Sequence, residues 1–362
     1  MKPELEKRCG EYIANRDAVA KAFRFDKSEL HNVCANIFCA AGKAADTDRL
    51  KECRKIIRKN TGFRSRFRSK KVRSILASLL AIGEDPEVRM NRANDDFRLL
   101  KQKFRGTEYL VLTAFLLTDL ADRTLTEETA ARGKEIFRQM NQKHRLLTNK
   151  TDSVFAMLLA FSGKTDEELM EEIEACYKLL RAKFADGAAQ TSAQVLAMEP
   201  GAPEEKAQWV ITLYVALKEA GVNYSRSEEL PPLAALSLAG TPVPDLVAEI
   251  SEADAFLKDQ GIKDKEAEQR AMQAVMIVSD QYAGTGKVNV TVMTNTLDML
   301  FAKQAASRFS FALEVIQALA QFAGSKSKDK AAEETKEPET GTAGKTETSG
   351  TPGPSETEKP QE

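Results

Sequence analysis

Apolar residues along this chain fall into two alternating kinds of segment. One kind is short and apolar almost throughout: Ser74 to Gly83, Asp152 to Gly163, Thr191 to Met198, and Leu233 to Gly240. The other kind is longer and carries its apolar residues at intervals of three, four and seven. Met90, Phe97, Leu100 and Phe104 form one such set. Leu169, Ile173, Tyr177, Leu180 and Phe184 form a second, and Val210, Leu213 and Leu217 a third. This spacing puts each set on one side of a helix and leaves the charged residues outside. The short segments have almost no polar face, so they predict helices buried on all sides. The one alternating run, Val288 to Met293, is short, and the fold class expected is all-α.

Starts and stops agree with this division. Ser69, Thr107, Thr151, Thr191 and Ser227 precede or open the apolar segments, where a hydroxyl can accept from the free N–H groups of a first turn. Asp85-Pro86, Thr126-Glu-Glu, Thr165-Asp-Glu-Glu168 and Thr241-Pro242 look like starts of the longer ones. Gly42, Gly83, Gly163, Gly201, Gly240 and Gly284 recur at close to forty residues, and Gly62, Gly106, Gly187, Gly221 and Gly261 run out of phase with them. Two helices per period of about 40 residues is the mark of stacked helical hairpins. The expectation is an α-solenoid, or α-α superhelix, of about six hairpins, each a short apolar helix followed by a long amphipathic one. Residues 1–26 would form an N-terminal helix, 27–285 the repeats, 286–324 a capping segment, and 325–362 a disordered low-complexity tail.

Composition narrows the class. Hydrophobic content of 42% with 30% charge describes a globular chain, except beyond Gly324, where no aromatic or branched aliphatic residue remains to offset ordering entropy. Five cysteines do not make a disulfide framework for so long a chain, and the N-terminus lacks the apolar core of a secretion signal, so a cytoplasmic protein is expected. No uncharged apolar run is long enough to span a bilayer. The apolar stretch Phe309 to Ala323 is expected to dock over the end of the repeat stack. The alternative is peripheral membrane association through 309–330, helped by Lys326, Lys328 and Lys330.

A net charge of −1 hides an asymmetry: residues 1–73 carry 20 Lys or Arg against 9 Asp or Glu. The excess is densest between Lys51 and Arg73. On a helix from about Thr47 to Asn60, Leu50, Cys53, Ile56 and Ile57 would face inward and the cations outward. The following Phe63-Arg-Ser-Arg-Phe-Arg-Ser-Lys-Lys71 interleaves aromatics with cations. Lys55, Arg58, Lys59, Arg64, Arg66, Arg68, Lys70 and Lys71 are therefore the candidate polyanion-binding residues. The plainer reading is a hydrated cationic face that offsets an acidic body.

No residues call for catalysis or a metal. His144 and Asp152 resemble a base with its carboxylate, but both suit helix ends, a cation near a C-terminus and an anion in a first turn. His31, Cys34 and Cys39 suggest zinc, yet Cys39 falls about 140° around the helix from Cys34 at about 100° per residue, and buried thiols explain them better. Gly284-Thr-Gly-Lys287 lacks a phosphate loop's first glycine and has Val288 where a hydroxyl is needed. No cofactor is implied.

The run His144-Arg-Leu-Leu-Thr-Asn-Lys-Thr-Asp-Ser-Val-Phe-Ala-Met-Leu-Leu-Ala160 resembles the best-marked stretch of the bacterial proteins grouped as domain-of-unknown-function family 4003. Tyr177-Lys-Leu-Leu and Ser192-Ala-Gln-Val-Leu-Ala197 fit the same family, over roughly residues 20–285. The resemblance implies no activity and no functional residue. The expected role is a non-enzymatic scaffold for a protein partner. The alternatives are nucleic-acid or polyanion binding through 51–73, and an enzyme with an unrecognised site.

Overall fold

The structure is a computed structural model that describes residues 1–284, apart from 71, 119–124, 149–151, 198–200, 227–229 and 263–266. Among the described residues every regular element is helical, as the spacing predicts. Seven amphipathic helices bury one face each: α1 (Pro3–Ala22), α3 (Thr47–Lys59), α5 (Pro86–Lys103), α7 (Glu127–Lys143), α9 (Asp166–Leu180), α11 (Pro203–Glu219) and α13 (Val243–Asp259). Between them run α2 (Ser28–Ala40), α4 (Arg73–Ile82), α6 (Glu108–Leu117), α8 (Asp152–Leu159), α10 (Asp186–Leu196), α12 (Leu230–Ser237) and α14 (Ala267–Gly284). These even-numbered helices are buried almost throughout. Tyr109–Leu117 of α6 and all of α12 are inaccessible residue by residue.

Each odd-numbered helix packs along the even-numbered one that follows it, making seven hairpins. Odd helices also pack on the next odd helix all along the chain, and α2 meets α4, α6 meets α8, α10 meets α12, and α12 meets α14. This corrects one expectation. In six of the seven pairs the longer helix comes first, the reverse of the expected phase, and Pro3–Ala22 packs chiefly along α2. Its stripe Leu5, Cys9, Tyr12 and Val19, spaced for a helix, is wholly buried.

The last hairpin also packs on the first: α13 and α14 contact α1, and α14 contacts α2. Polar groups seal that junction. Arg8 Nη1 lies 2.5 Å from Asp280 Oδ2, Asn36 Nδ2 donates to Gln273 Oε1 at 2.6 Å, and Lys2 Nζ stands 2.5 Å from Glu249 Oε1. Among the described residues the two ends of the helix series are therefore in contact, and the expected capping segment 286–324 lies outside them.

Several caps are where the sequence puts them. Thr107, Thr126 and Thr165 each accept from a first-turn N–H, Thr165 within a full capping box with Glu168, and Asp85 does so ahead of Pro86. Others differ. Thr191 lies inside α10, which begins at Asp186, and its hydroxyl donates to the Gly187 carbonyl. Ser69 ends a 3-10 turn (Arg66–Arg68) instead of opening α4. The first turn of α4 is held by a tertiary partner, the Asp26 carboxylate, which takes Ser74 Oγ and, at 2.9 Å, Arg73 Nη2. Pro242, not Thr241, stands at the N-cap of α13. Thr151, Ser227, the Val288 run, 309–330 and the tail lie outside the described residues.

Cations close the C-terminal ends of the buried helices, where backbone carbonyls lack helical partners and carry the negative end of the dipole. Lys43 donates to Ile82 O, Arg49 to Gly83 O and Arg89 to Leu79 O at the end of α4. Arg132 holds Ala160 O, Ser162 O and Lys164 O beyond α8, and Lys164 and Lys206 hold Ala197 O and Leu196 O at the end of α10. Gly42 and Gly240 supply the other kind of stop, with φ of 60° and 62° after α2 and α12. These six cations thus have structural places.

Candidate anion-binding site

The basic segment builds as its pattern predicts. On α3, Leu50, Cys53, Ile56 and Ile57 are buried and the cations face out, behind an Asp46 cap. The chain then turns through Gly62 to the 3-10 turn, whose Phe67 is buried against Phe97 (ring centroids 5.2 Å) and Phe115 (6.0 Å). Phe67 pins the turn to α5 and α6. Phe63, four residues earlier, stays 88% exposed.

The predicted cations divide into employed and unemployed. Lys59 pairs with Glu87 at 2.9 Å and Arg66 with Glu108 at 3.5 Å, both across exposed surface. Arg68 donates to the Arg58 and Thr61 carbonyls and, through Nε at 3.1 Å, to the Thr61 hydroxyl. It staples the end of α3 to the turn. Lys55, Arg58, Arg64 and Lys70 have no ion-pair partner among the described residues, and all four are exposed. Lys71 lies outside the described residues.

Arg58 and Arg68 come together with two arginines that pattern reasoning left out of the site. Arg54, Arg58, Arg68 and Arg73, with Ile57 and Phe63, line one cavity of about 350 Å³ between α3, the 3-10 turn and the start of α4. Arg54 stacks over the Phe23 ring at 5.4 Å. Its Nε and that of Arg73 are buried without a hydrogen-bond acceptor. Burial, then the neighbouring Arg73, lower the Arg54 pKa from its ordinary value; Asp26 raises it and Arg58 lowers it further. Asp26 is the carboxylate at this site, and it is bound to Arg73 and Ser74. Arg54 was legible, one helical turn before Arg58 on the same face. Arg73 was not, since only the path of the turn brings the start of α4 back to α3.

The other candidate chemistry takes structural places. His144 ends α7, with Nε2 2.8 Å from Glu174 Oε2 and its ring edge-on to Tyr177 at 4.6 Å; the carboxylate beside it is Glu174, not Asp152. His31 Nε2 is 3.1 Å from the Phe23 carbonyl. Burial pushes the Cys34 and Cys39 thiols up to about 12 and those of Cys53 and Cys176 to about 11, which removes the thiolate a nucleophile needs. Among the described residues no group of His, Cys, Asp and Glu is placed to hold a metal ion. No helix there is long and apolar enough to cross a membrane.

Comparison with curated proteins and with solved structures found no match. A family model does match, over residues 15–306, and it takes in all fourteen helices but the first turns of α1. It carries the description "Protein of unknown function (DUF4003)". On that match the chain belongs to the DUF4003 family, whose resemblance His144 to Ala160 first signalled.

Proposed function

We propose that this chain is a non-enzymatic binding protein, a helical-hairpin repeat scaffold of the α-solenoid kind curved until its last hairpin meets its first. Its basic surface, around the α1–α2 and α3–α4 connections, receives an anionic partner. One observation carries the reading: four arginines share a cavity beside Asp26, a carboxylate already paired with Arg73, and two of them have buried N–H groups without an acceptor. Like charges so placed repel, and a folded chain gains by binding an anion among them. Lys55, Arg64 and Lys70, exposed and unpaired, extend the positive field outward. Raised thiol pKa values and a histidine engaged in packing support a binding role over catalysis.

The test is retention on immobilised heparin as a function of salt. The native chain is expected to need salt to elute, with a steep dependence of affinity on salt. The triple charge reversal Lys55→Glu, Arg64→Glu, Lys70→Glu should elute at markedly lower salt, because each lost cation removes about one released counterion from the slope. The triple reversal Lys178→Glu, Lys183→Glu, Lys218→Glu, at exposed positions on and beside α9 and α11, controls for net charge. Equal elution of the two triple variants would refute the assignment of this surface.

A further inference from the structure

We propose that the arginine cavity seats the phosphomonoester group of a small molecule whose flat apolar portion lies on Phe63. The inference rests on the anionic reading above and narrows it to one ligand chemistry at one point of that surface. The cavity's four guanidinium groups are not equivalent. Arg68 is fixed by the Arg58 and Thr61 carbonyls and Arg73 by Asp26, so two forks are oriented before any ligand arrives. Arg54 and Arg58 are engaged by no carboxylate or carbonyl among the described residues. The buried Nε–H groups of Arg54 and Arg73 are donors in need of an acceptor, and an oxyanion offers several at once.

Charge selects the phosphate. Among the described residues the four lining arginines outnumber Asp26, the carboxylate paired with Arg73, and leave positive charge in excess around the cavity. A carboxylate ligand would offset one charge with two oxygens. A phosphomonoester carries about −1.5 to −2 near pH 7 and three strong acceptor oxygens, which fits both the surplus and the forked donors.

Size and lining select the rest of the ligand. A cavity of about 350 Å³ lies within the range of about 300–1,000 Å³ typical of small-molecule sites, more than a lone phosphate fills. Its non-polar lining is Ile57, buried, and Phe63, whose 88% exposure leaves its ring available to a stacking partner. An aromatic side chain left in water beside an arginine cluster has no folding role here, since Phe67 is the residue that anchors the turn.

Adenosine monophosphate serves as the probe, with inorganic phosphate and adenosine as its two halves, added to the full chain at matched ionic strength. Inorganic phosphate should raise Tm, adenosine should not, and the nucleotide should bind more tightly than phosphate. At a hundredfold excess over Kd the rise expected for a domain of this size is about 4 °C. Arg54→Gln and the exposed Arg58→Gln should each lose at least tenfold in phosphate affinity by calorimetry, while Lys218→Gln changes nothing. Phe63→Ala should reduce the nucleotide's affinity to that of phosphate. No Tm response to phosphate and nucleotide, or equal responses in the wild type and Arg58→Gln, overturns the proposal. Equal affinities of phosphate and nucleotide overturn the placement of a ring on Phe63. Binding to phosphatidic acid vesicles without any response to phosphate or nucleotide also overturns it, in favour of a lipid surface. Heparin retention separates the two levels: if it persists while phosphate fails, the basic surface stands and the phosphate seat falls.

Discussion

Replacing Leu159 by aspartate is expected to leave the chain without a cooperative fold. Leu159 closes α8, the short helix between α6 and α7, and is wholly inaccessible. The surroundings are tight: a Cβ added at Gly133 of α7 would lie 3.2 Å from the Met157 Cα and would clash with its sulfur, so the two helices nearly touch. Truncating a buried leucine costs about 2–5 kcal/mol. Forcing an unpaired carboxylate into the same space adds several more, although ionisation can be suppressed by a raised pKa. The sum approaches the whole stability of about 5–15 kcal/mol typical of a domain. Thermal melting by circular dichroism checks this: Leu159→Asp should show no sharp transition, and a melt close to the parent's would contradict the burial of α8. Lys59→Ala and Arg66→Ala should change folding by less than about 1 kcal/mol, since each breaks only an exposed ion pair.

Arg8→Met is expected to cost about 2–4 kcal/mol. Arg8 sits on α1, and its guanidinium meets the Asp280 carboxylate on α14, whose side chain is 4% exposed. Removing one partner of a buried pair takes away the opposite charge that offset the other's desolvation, typically at a cost of about 3–5 kcal/mol. The lower figure applies because the arginine keeps 23% of its side chain in water and a solvated end of the pair is screened. Urea denaturation measures it, with an unchanged m value if the native state is otherwise intact. Adding Asp280→Asn to Arg8→Met should restore part of the loss. A single variant as stable as the parent would show that the junction between first and last hairpins contributes little.

The fold was legible where local patterns decide it. The stripes on α5, α9 and α11, the apolar character of α4, α8 and α12, and the caps at Thr107, Thr126, Thr165 and Asp85 are properties of a few neighbouring residues, and all are found. Phase and closure were not legible. Either neighbour of an apolar helix can be its hairpin partner when both connections are short, and only the packing of the whole decides. Arg8 and Asp280 stand 272 positions apart, and nothing local in either residue marks the other. The candidate site divides in the same way. Arg58 and Arg68 were named from charge density, whereas Arg73 joins them only because Asp26 holds the start of α4 in place. Lys59, Arg66 and Arg68 also show that charge density overstates a binding surface, since all three are engaged within the fold.

The contacts of α13 and α14 with α1 bring the two ends of the helix series together. This closure can be read directly by zero-length carbodiimide crosslinking of the full chain followed by peptide mass spectrometry. Lys2 Nζ stands 2.5 Å from Glu249 Oε1 on α13, with Glu252 less than one turn further along the helix and 43% exposed. An amide between Lys2 and Glu249 or Glu252 is therefore expected alongside local products such as Lys59 with Glu87. Crosslinks confined to successive hairpins, with none joining Lys2 to α13 under conditions that yield the Lys59 product, would show an open series and contradict the closed one.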